Sequence, residues 1–457
     1  MNKFEEIVLE SDVESVKDEV EEEKPFFKTD ELEYPEGGVQ GWLTVFGAFC
    51  GLVACFGVLN ASGVVEDHIQ LHQLKHVPPS TIGWIFALFL FVTYSTCIFS
   101  GTYFDRNGFR DPVIAGAVLH VAGLFATANA TQTWHFILSF AIVLGLGNGL
   151  MLSPLVAVPA HYFSRKRGNA LALATVGGSI GGAIFPIILR KFFALKNDHN
   201  PNYGFIWGMR TWSFIDLFLL IITVLVTRER LPHIVDDAKY KEEYWARRIF
   251  RVYIVQSIDI KAFRDMKYLF CVLGATLGEL SLFATLTYFA SYCTAHGIAA
   301  SDAYILTMVL NLTGVLGRWL PGFLSDMYGR FNLTIIMTLS LSIVMFVGWI
   351  PFGTNLTNMY VISALYGFFS ASIFSLIPVC CSQISRTDEF GRRYSTMYFV
   401  VAFGTLIALP ITGAIINDKS YRSYQNYVIF GSVTTFLTAL CYIISRFYCV
   451  GFRLVKF

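Results

Sequence analysis

About twelve long apolar runs recur along the chain, and this repetition constrains the fold more than any other feature of the sequence. An α-helix needs about 20 apolar residues to cross a bilayer, where all its backbone polar groups must be bonded internally. The composition agrees, because only 15% of the residues are charged, against about 25% in soluble domains. The sequence therefore predicts an all-α membrane protein. The predicted spans lie near residues 40–65, 81–103, 112–131, 134–163, 168–194, 209–228, 267–294, 301–325, 332–353, 356–382, 391–416 and 424–450.

A polar, basic segment separates the sixth run from the seventh and divides the predicted helices into two halves of six. We predict an N-terminal bundle over residues 34–228, a cytoplasmic linker over 229–266 and a C-terminal bundle over 267–450. A short cytoplasmic tail, residues 451–457, follows. Residues 1–33 are strongly acidic and poor in aromatic residues, so we expect a disordered cytoplasmic tail. This acidic start is unlike the basic start of a secretory signal peptide.

Lysine and arginine residues predict the orientation of the helices. If both termini are cytoplasmic, roughly 26 of the basic residues lie inside and about 7 outside, as the positive-inside rule requires. The reverse orientation would violate that rule. We therefore expect a multi-pass protein with both termini in the cytoplasm.

Two polar breaks of the same pattern, "SGTYFDRNGFR" at residues 100–110 and "PGFLSDMYGR" at residues 321–330, follow the second and eighth predicted helices. The matching positions are 221 residues apart (322 minus 101). Both breaks lie on the predicted cytoplasmic side, so they indicate two six-helix halves of the same orientation, related by an axis along the membrane normal. The matching pairs are Gly101 and Gly322, Asp105 and Asp326, and Gly108 and Gly329.

The residue types in these breaks favour a gate. The first glycine of each break allows a neighbouring helix to approach closely, and the last permits a tight turn. The aspartate can contact another helix's N-terminus or an arginine when the cytoplasmic side is closed. We include Arg106, Arg110 and Arg330 in this predicted gate. A solvated turn whose charges only set the topology is the alternative.

The chain resembles the major facilitator superfamily over nearly all of residues 34–450, because the two breaks look like the loops that follow helices 2 and 8 in that superfamily. "PEGGVQGW" (residues 35–42) and "HYFSRKRGNALALATVGGSIGG" (residues 161–182) resemble its monocarboxylate-porter family. "LSPLVAVPAHYF" and "RYSTMYFVV" are similar to the yeast riboflavin carriers of that family. The resemblance implies alternating-access transport of riboflavin across the plasma membrane, with a paralogue of another substrate as the alternative.

The sequence departs from the monocarboxylate porters where those proteins couple to protons. They carry a lysine in helix 1 and an aspartate one turn before an arginine in helix 8. Here "CFGVLNASGVV" (residues 55–65) has no lysine, and Gly314 lies one turn before Arg318. We therefore expect facilitated diffusion without proton coupling. A proton-linked monocarboxylate carrier and a nutrient sensor on a carrier fold are the alternatives, although a sensor would be expected to have longer cytoplasmic extensions.

Charged residues within predicted spans are the strongest candidates for the substrate site, because a charge in the bilayer is costly and usually faces a cavity or a partner. Arg318 leads, Asn311 shares its helix face, and Glu279 is the expected countercharge. The alternative is an Arg318–Glu279 ion pair that only ties helices together. Asp216 and His120 are weaker candidates, with a hydrogen bond between helices that does not involve the substrate as the alternative for each.

Amide and aromatic side chains complete the predicted substrate site. Riboflavin offers amide-like edges to asparagine and a planar ring to aromatic side chains. Each of these residues has packing or a lipid contact as its alternative. The candidates are Asn60, Asn148, Tyr288, Tyr366 and Tyr398.

Several other function classes find no support in the sequence. The net charge of +1 gives no electrostatic basis for binding a nucleic acid. The nine cysteines are scattered without paired spacing, so they indicate neither a disulfide framework nor a metal site. We find no catalytic motif and expect no enzyme activity and no cofactor. The expected partners are a small-molecule substrate and the bilayer. The glycine-rich stretch "GGSIGG" (residues 177–182) is expected to pack closely against another helix.

Overall fold

The computed structural model is built from long helices, as the apolar runs predict. It describes residues 34–195, 197, 201–230, 257–416, 420–453 and 455–457. Within these residues, 12 helices are long and apolar enough to span a membrane. The predicted tail at 1–33 and most of the predicted linker lie outside the described residues. The helices are α1 Gly38–Leu71, α2 Pro79–Asn107, α3 Arg110–Ala128, α4 Thr133–His161, α5 Arg167–Phe193, α6 Tyr203–Val226, α7 Met266–Ala295, α8 Ala300–Tyr328, α9 Arg330–Phe352, α10 Leu356–Gln383, α11 Phe390–Ile415 and α12 Tyr421–Val450.

Two helices extend beyond the predicted apolar runs. Helix α1 continues through Glu66 and Asp67 to Leu71, and α6 begins at Tyr203 rather than near residue 209. The α6 extension, residues 203–208, is apolar (YGFIWG). The α1 extension is instead polar, and a helix that projects past the bilayer keeps its internal hydrogen bonds while its polar side chains remain in water. Hydropathy alone therefore underestimates the helix length at the ends that face water.

Helix α5 packs closely against α1 in the N-terminal half, and α8 packs closely against α10 in the C-terminal half. Contacts between the two halves run along α5 with α8 and along α2 with α11. A Cβ atom on Gly177 would lie 2.5 Å from the Phe49 carbonyl oxygen, and one on Gly181 would lie 2.5 Å from that of Val53. The predicted close packing of the glycine-rich stretch in α5 is therefore confirmed.

A buried polar network ties together four helices of the N-terminal half. Nδ1 of His120 lies 2.9 Å from the Asn148 amide oxygen, and its Nε2 lies 3.0 Å from a carboxylate oxygen of Asp216. The Asn148 amide nitrogen donates to the Cys55 carbonyl. All three polar side chains of the network are fully buried. The structure thus places His120 and Asp216 in interhelical hydrogen bonds, the alternative to a substrate contact, and engages both ends of the Asn148 amide in the same network.

Candidate functional site

The break after α2 closes onto the beginning of α11 in the other half. Gly108 ends α2 with φ 100°, a conformation that favours glycine. One turn earlier, the Asp105 carboxylate accepts hydrogen bonds from the backbone N–H groups of Gly391 (3.2 Å) and Arg392 (2.7 Å). Both N–H groups belong to the first turn of α11, where they have no partner within the helix. A negative charge at this position is stabilised by the helix dipole as well as by the two hydrogen bonds.

The break after α8 repeats this geometry with the halves exchanged. Gly329 ends α8 with φ 99°. The Asp326 carboxylate accepts from the N–H groups of Gly168 (2.9 Å) and Asn169 (2.8 Å) in the first turn of α5. Arg330 adds an ion pair to Asp326 at 3.7 Å. The two predicted aspartates therefore lie against equivalent helix N-termini in the described chain.

The first glycine of each break leaves no room for a side chain. A Cβ atom on Gly101 would lie 1.9 Å from Ser395 Oγ of α11 and 2.4 Å from the Gly391 carbonyl oxygen. On Gly322 it would lie 2.0 Å from the Ala172 Cβ of α5. The close approach predicted for these glycines is therefore present at both contacts between the halves.

The predicted arginines take unequal parts in this closed end. Arg330, the first residue of α9, donates to the Ser164 carbonyl at 2.7 Å in the loop after α4 and to the Gln383 amide oxygen at the end of α10, so it joins these three places. Arg106 is half-buried in the last turn of α2. Arg110 is exposed at the start of α3, and no contact from it to the other half is recorded among the described residues. The inclusion of Arg110 in the gate is therefore not supported.

Three residues that we did not predict as part of the gate strengthen the same end. Arg167, buried, donates across the interface to the Ser382 carbonyl (3.3 Å) and to the Thr387 hydroxyl (3.1 Å). The Tyr34 hydroxyl also reaches Thr387, at 2.7 Å. Glu36 accepts three backbone N–H groups from the loop between α4 and α5. The sequence marks Arg167 and Glu36 only as parts of family motifs, and their contacts depend on the packed halves.

Arg318 lies at the contact between the two halves. Its guanidinium donates to the Thr175 carbonyl of α5 at 2.9 Å. It also lies over the rings of Phe374 (4.7 Å to the centroid) and Phe56 (5.4 Å). A Cβ atom on Gly178 would come within 2.6 Å of the Arg318 Nη1 atom, so this glycine makes the space that the guanidinium fills.

Glu279 contacts a tyrosine instead of the predicted arginine. Its carboxylate accepts a hydrogen bond from the Tyr398 hydroxyl at 3.2 Å. Among the described residues no ion pair joins Glu279 to Arg318 within 4.0 Å, so Glu279 acts as the predicted countercharge only at longer range. The physical reason is that Arg318 is held by the α5 carbonyl and two aromatic faces. The Tyr398 ring in turn packs edge-on against Tyr94, with centroids 5.0 Å apart.

These side chains form what we call the central cluster, which draws on α1, α2, α7, α8, α10 and α11. Three of its polar atoms are buried without a hydrogen-bond partner among the described residues, namely Oε2 of Glu279, the Tyr94 hydroxyl and Nε of Arg318. A buried polar group without a partner is costly, so such groups often mark a place where a ligand or water binds. The cluster can therefore offer aromatic faces, donors and an acceptor to one polar planar molecule. Its members are Phe56, Tyr94, Glu279, Arg318, Phe374 and Tyr398.

The other predicted site residues lie outside this cluster. Asn60 is its neighbour, because it donates to the carbonyl of Gly178 at 3.0 Å. Asn311 donates to the Thr307 carbonyl of its own helix. Tyr288 packs against Tyr427 in the C-terminal half.

Two predicted substrate contacts lie away from the central cluster. Asn148 has both ends of its amide in the buried network with His120 and Cys55, which holds this side chain away from the central cluster. Tyr366 also has a buried hydroxyl without a hydrogen-bond partner among the described residues, but it packs edge-on against Trp349 within the C-terminal half, eight residues and about 12 Å along α10 from Phe374. A helical position shows which neighbours share a face, but not which face meets the other half.

Sequence reasoning missed Phe56, Tyr94 and Phe374. Aromatic residues make up 16% of the chain, so none of the three stands out by type. In the sequence the Gly177–Gly178 pair indicates only close helix packing, and the position of Gly178 opposite Arg318 is visible only in the structure. Only the packed structure connects these residues.

The comparisons with known proteins agree on the fold. The family model described as the Major Facilitator Superfamily matches residues 42–408 and again residues 320–448. The "Riboflavin transporter MCH5" of Saccharomyces cerevisiae is 63% identical over 93% of this chain and 81% of its own length. The "MFS-type transporter 1" of an Ophiocordyceps species is 31% identical over 93% of this chain and 90% of its own length. The crystal structure of the human organic anion transporter MFSD10 matches with a TM-score of 0.65 at 15% identity, covering 88% of this chain and all of the other.

Proposed function

The chain belongs to the major facilitator superfamily, and on this premise we propose that it carries riboflavin across the plasma membrane by alternating access. It is a membrane transporter and not an enzyme, in keeping with its relatives, which are named as transporters. The observation that carries the riboflavin proposal is the 63% identity to a riboflavin transporter over 93% of the chain.

The chemistry of the central cluster supports a riboflavin-like substrate. An isoalloxazine ring is planar and aromatic, so it can stack on Tyr94, Phe374 or Tyr398. Its imide edge carries both donors and acceptors, which suits the unpartnered atoms of Glu279 and Arg318. The cluster draws on both halves, and a substrate that binds there contacts the two parts that must move relative to each other.

Alternating access requires a closed end that can open. The two aspartate contacts at the helix N-termini, together with Arg167, supply several hydrogen bonds between the halves at the predicted cytoplasmic end. These contacts are polar and lie near water, so their breaking is compensated by hydration. We propose that they form when this end closes and break when it opens.

We further propose facilitated diffusion without proton coupling. Gly314 occupies the position of the acid found in proton-linked porters, and a Cβ atom there would face Ala371 of α10 at 3.2 Å and Ser179 Oγ of α5 at 3.7 Å. The position thus lies at the contact between the halves but carries no titratable group. Glu279 is the acid nearest to the proposed substrate, and it is bonded to Tyr398.

Uptake measurements test the substrate and the coupling separately. Labelled riboflavin should enter cells that express the chain but have no riboflavin uptake of their own, and excess unlabelled riboflavin should compete where lactate does not. Competition by lactate would favour a monocarboxylate carrier. A chain that reaches the membrane and signals in response to riboflavin without moving it would be a sensor.

A matched pair of tyrosine variants tests the site. Tyr94 and Tyr442 are both fully buried with unpartnered hydroxyls, but Tyr442 lies in α12 outside the central cluster. Tyr94→Phe should raise the KM for riboflavin about three- to tenfold through one lost hydrogen bond, and Tyr442→Phe should not. Equal KM values in both variants would place the substrate elsewhere.

The orientation and the domain boundaries complete the proposal. We propose that both termini are cytoplasmic and that residues 34–228 and 267–450 form the two halves, joined by the linker at 229–266. The distribution of basic residues supports this orientation. Epitope tags at residues 1 and 457 should be accessible to antibody only after the plasma membrane is permeabilised. Antibody staining of intact cells would contradict the cytoplasmic placement of the termini.

A further inference from the structure

The last described residues fold back over the break between α8 and α9. The Phe457 backbone carbonyl accepts from the N–H of Phe331 at 3.0 Å, and the two rings stack with centroids 5.5 Å apart. The Asn332 side chain donates to the Val455 carbonyl at 2.9 Å. Arg446 donates to the Arg453 carbonyl at 2.8 Å. We call residues 451–453 and 455–457 the returning segment.

The returning segment covers one end of a groove on the outer surface of the C-terminal half. The groove has a volume of about 600 Å³ and lies between the facing ends of α8, α9 and α12. Its apolar wall includes Ile335, Ile336, Ile443 and Phe447. These helices are membrane spans, so the groove opens beside the bilayer.

The polar end of the groove is positively charged. Arg446 and Lys456 line it, and no acidic residue lines it among the described residues. The guanidinium of Arg446 donates to uncharged oxygens of Asn332 and the returning segment, and no carboxylate side chain lies within 4.0 Å of it among the described residues. Asp326 interacts electrostatically with Lys456, but its carboxylate already accepts two hydrogen bonds from the first turn of α5.

We propose that this groove binds an anionic phospholipid, with an acyl chain along the apolar wall and the phosphate at Lys456 and Arg446. A groove of this size beside a bilayer is filled by lipid, and the two cations at its polar end select the headgroup charge. Anionic lipids are concentrated in the cytoplasmic leaflet, which the proposed orientation places beside this end of α9 and α12. A soluble anion would use the cations but leave the apolar wall uncovered.

Thermal unfolding of the full chain in a neutral detergent tests the proposal, with phosphatidylserine or phosphatidylcholine of identical acyl chains added at increasing concentration. Phosphatidylserine should raise the unfolding temperature in a saturable way, and phosphatidylcholine should do so only weakly. Lys456→Gln should raise the phosphatidylserine concentration for a half-maximal effect about fivefold, the contribution of one basic residue near an anionic headgroup. Equal effects of the two lipids on the wild type would overturn the proposal.

Two further pairs separate the groove from general surface effects. Ile336→Trp should fill the groove and abolish the preference for phosphatidylserine over phosphatidylcholine. Ile343→Trp, two turns along the same helix and outside the groove, should keep that preference. The two isoleucines are matched because their exposed fractions are similar, 53% and 60%. Lys261→Gln removes the charge of an exposed lysine that lies outside the groove, and this variant should also keep the preference for phosphatidylserine. A preference that survives in Ile336→Trp and Lys456→Gln would refute the site. A stabilisation by glycerophosphoserine, which has no acyl chains, equal to that by the lipid would mean a soluble-anion site and also refute it.

Discussion

Replacing Asp105 with asparagine removes one negative charge from the contact between α2 and the first turn of α11 while keeping the size of the side chain. In the structure this carboxylate accepts two backbone N–H groups, at 3.2 and 2.7 Å. A hydrogen bond to a charged group contributes about 1 kcal/mol more than a neutral one, and a charge at a helix N-terminus adds about 0.3–1 kcal/mol. The substitution should therefore destabilise the closed cytoplasmic end by about 2 kcal/mol, a factor of about 30 in the ratio of closed to open states.

Cysteine labelling from the cytoplasmic side measures this ratio. Ser395 is fully buried at the closed end, where its hydroxyl lies 2.9 Å from that of Ser153 in the other half. We would introduce Ser395→Cys in a background that lacks the two half-buried native cysteines, Cys441 and Cys449. An impermeant maleimide should then react up to about 30-fold faster when Asp105→Asn is added. Riboflavin uptake should fall, because the cycle includes a step in which this end closes.

Asp111→Asn is the matched control. Asp111 lies in the neighbouring first turn of α3, is exposed, and is bonded to the Tyr103 hydroxyl of its own half. The same charge is lost, but no bond between the halves is recorded for it among the described residues. An unchanged labelling rate in Asp105→Asn, or the same increase in Asp111→Asn, would refute the gating argument.

Asp326→Asn extends the same test to the second break. The sequence suggests a milder effect than at Asp105, because Met327 follows the aspartate where Arg106 follows Asp105. The structure gives Asp326 two equivalent N–H contacts and an ion pair with Arg330. We therefore expect an effect of similar size, and uptake that is impaired only in Asp105→Asn would contradict this expectation.

Three further predictions concern the central cluster. Gly178→Ala should reduce riboflavin uptake strongly, because the new methyl group would lie 2.6 Å from the Arg318 guanidinium. Gly63→Ala should leave uptake unchanged, because nothing lies within 4 Å of its Cβ position. Equal uptake by the two variants would contradict the packing argument. Arg318→Ala and Glu279→Ala should show a coupling energy of about 1 kcal/mol or more in a double-mutant cycle of uptake, because both charges are buried and interact without a direct ion pair; additive losses would show that the two side chains act independently. A protonophore should leave the initial rate of riboflavin uptake unchanged at constant ATP, because riboflavin is neutral and no titratable group occupies position 314. If the protonophore instead lowers the rate at once in the wild type but not in Glu279→Gln, the Glu279 carboxyl is a proton site.

The membrane fold could be predicted from the sequence because its cause is local. Each span must satisfy its own backbone and present apolar side chains to lipid, so its sequence carries the signal without reference to other spans. The repeated Gly101–Asp105–Gly108 pattern likewise indicated two related halves, because tight turns and close helix contacts need glycine wherever they occur. The same local rule missed the polar end of α1, where hydropathy stops at Val65 and the helix does not.

The composition of the substrate site was decided by tertiary structure. Arg318 and Glu279 stood out because a charge in a span is costly wherever it lies, yet their partners proved to be the Thr175 carbonyl and the Tyr398 hydroxyl. Nothing in the sequence distinguishes Asn60, which lies beside the cluster, from Asn148, whose amide is used elsewhere. Burial cost is a property of one residue in one helix, and the sequence therefore reports it. Partnership depends on the rotation and approach of six helices from both halves, and only the packed structure fixes those.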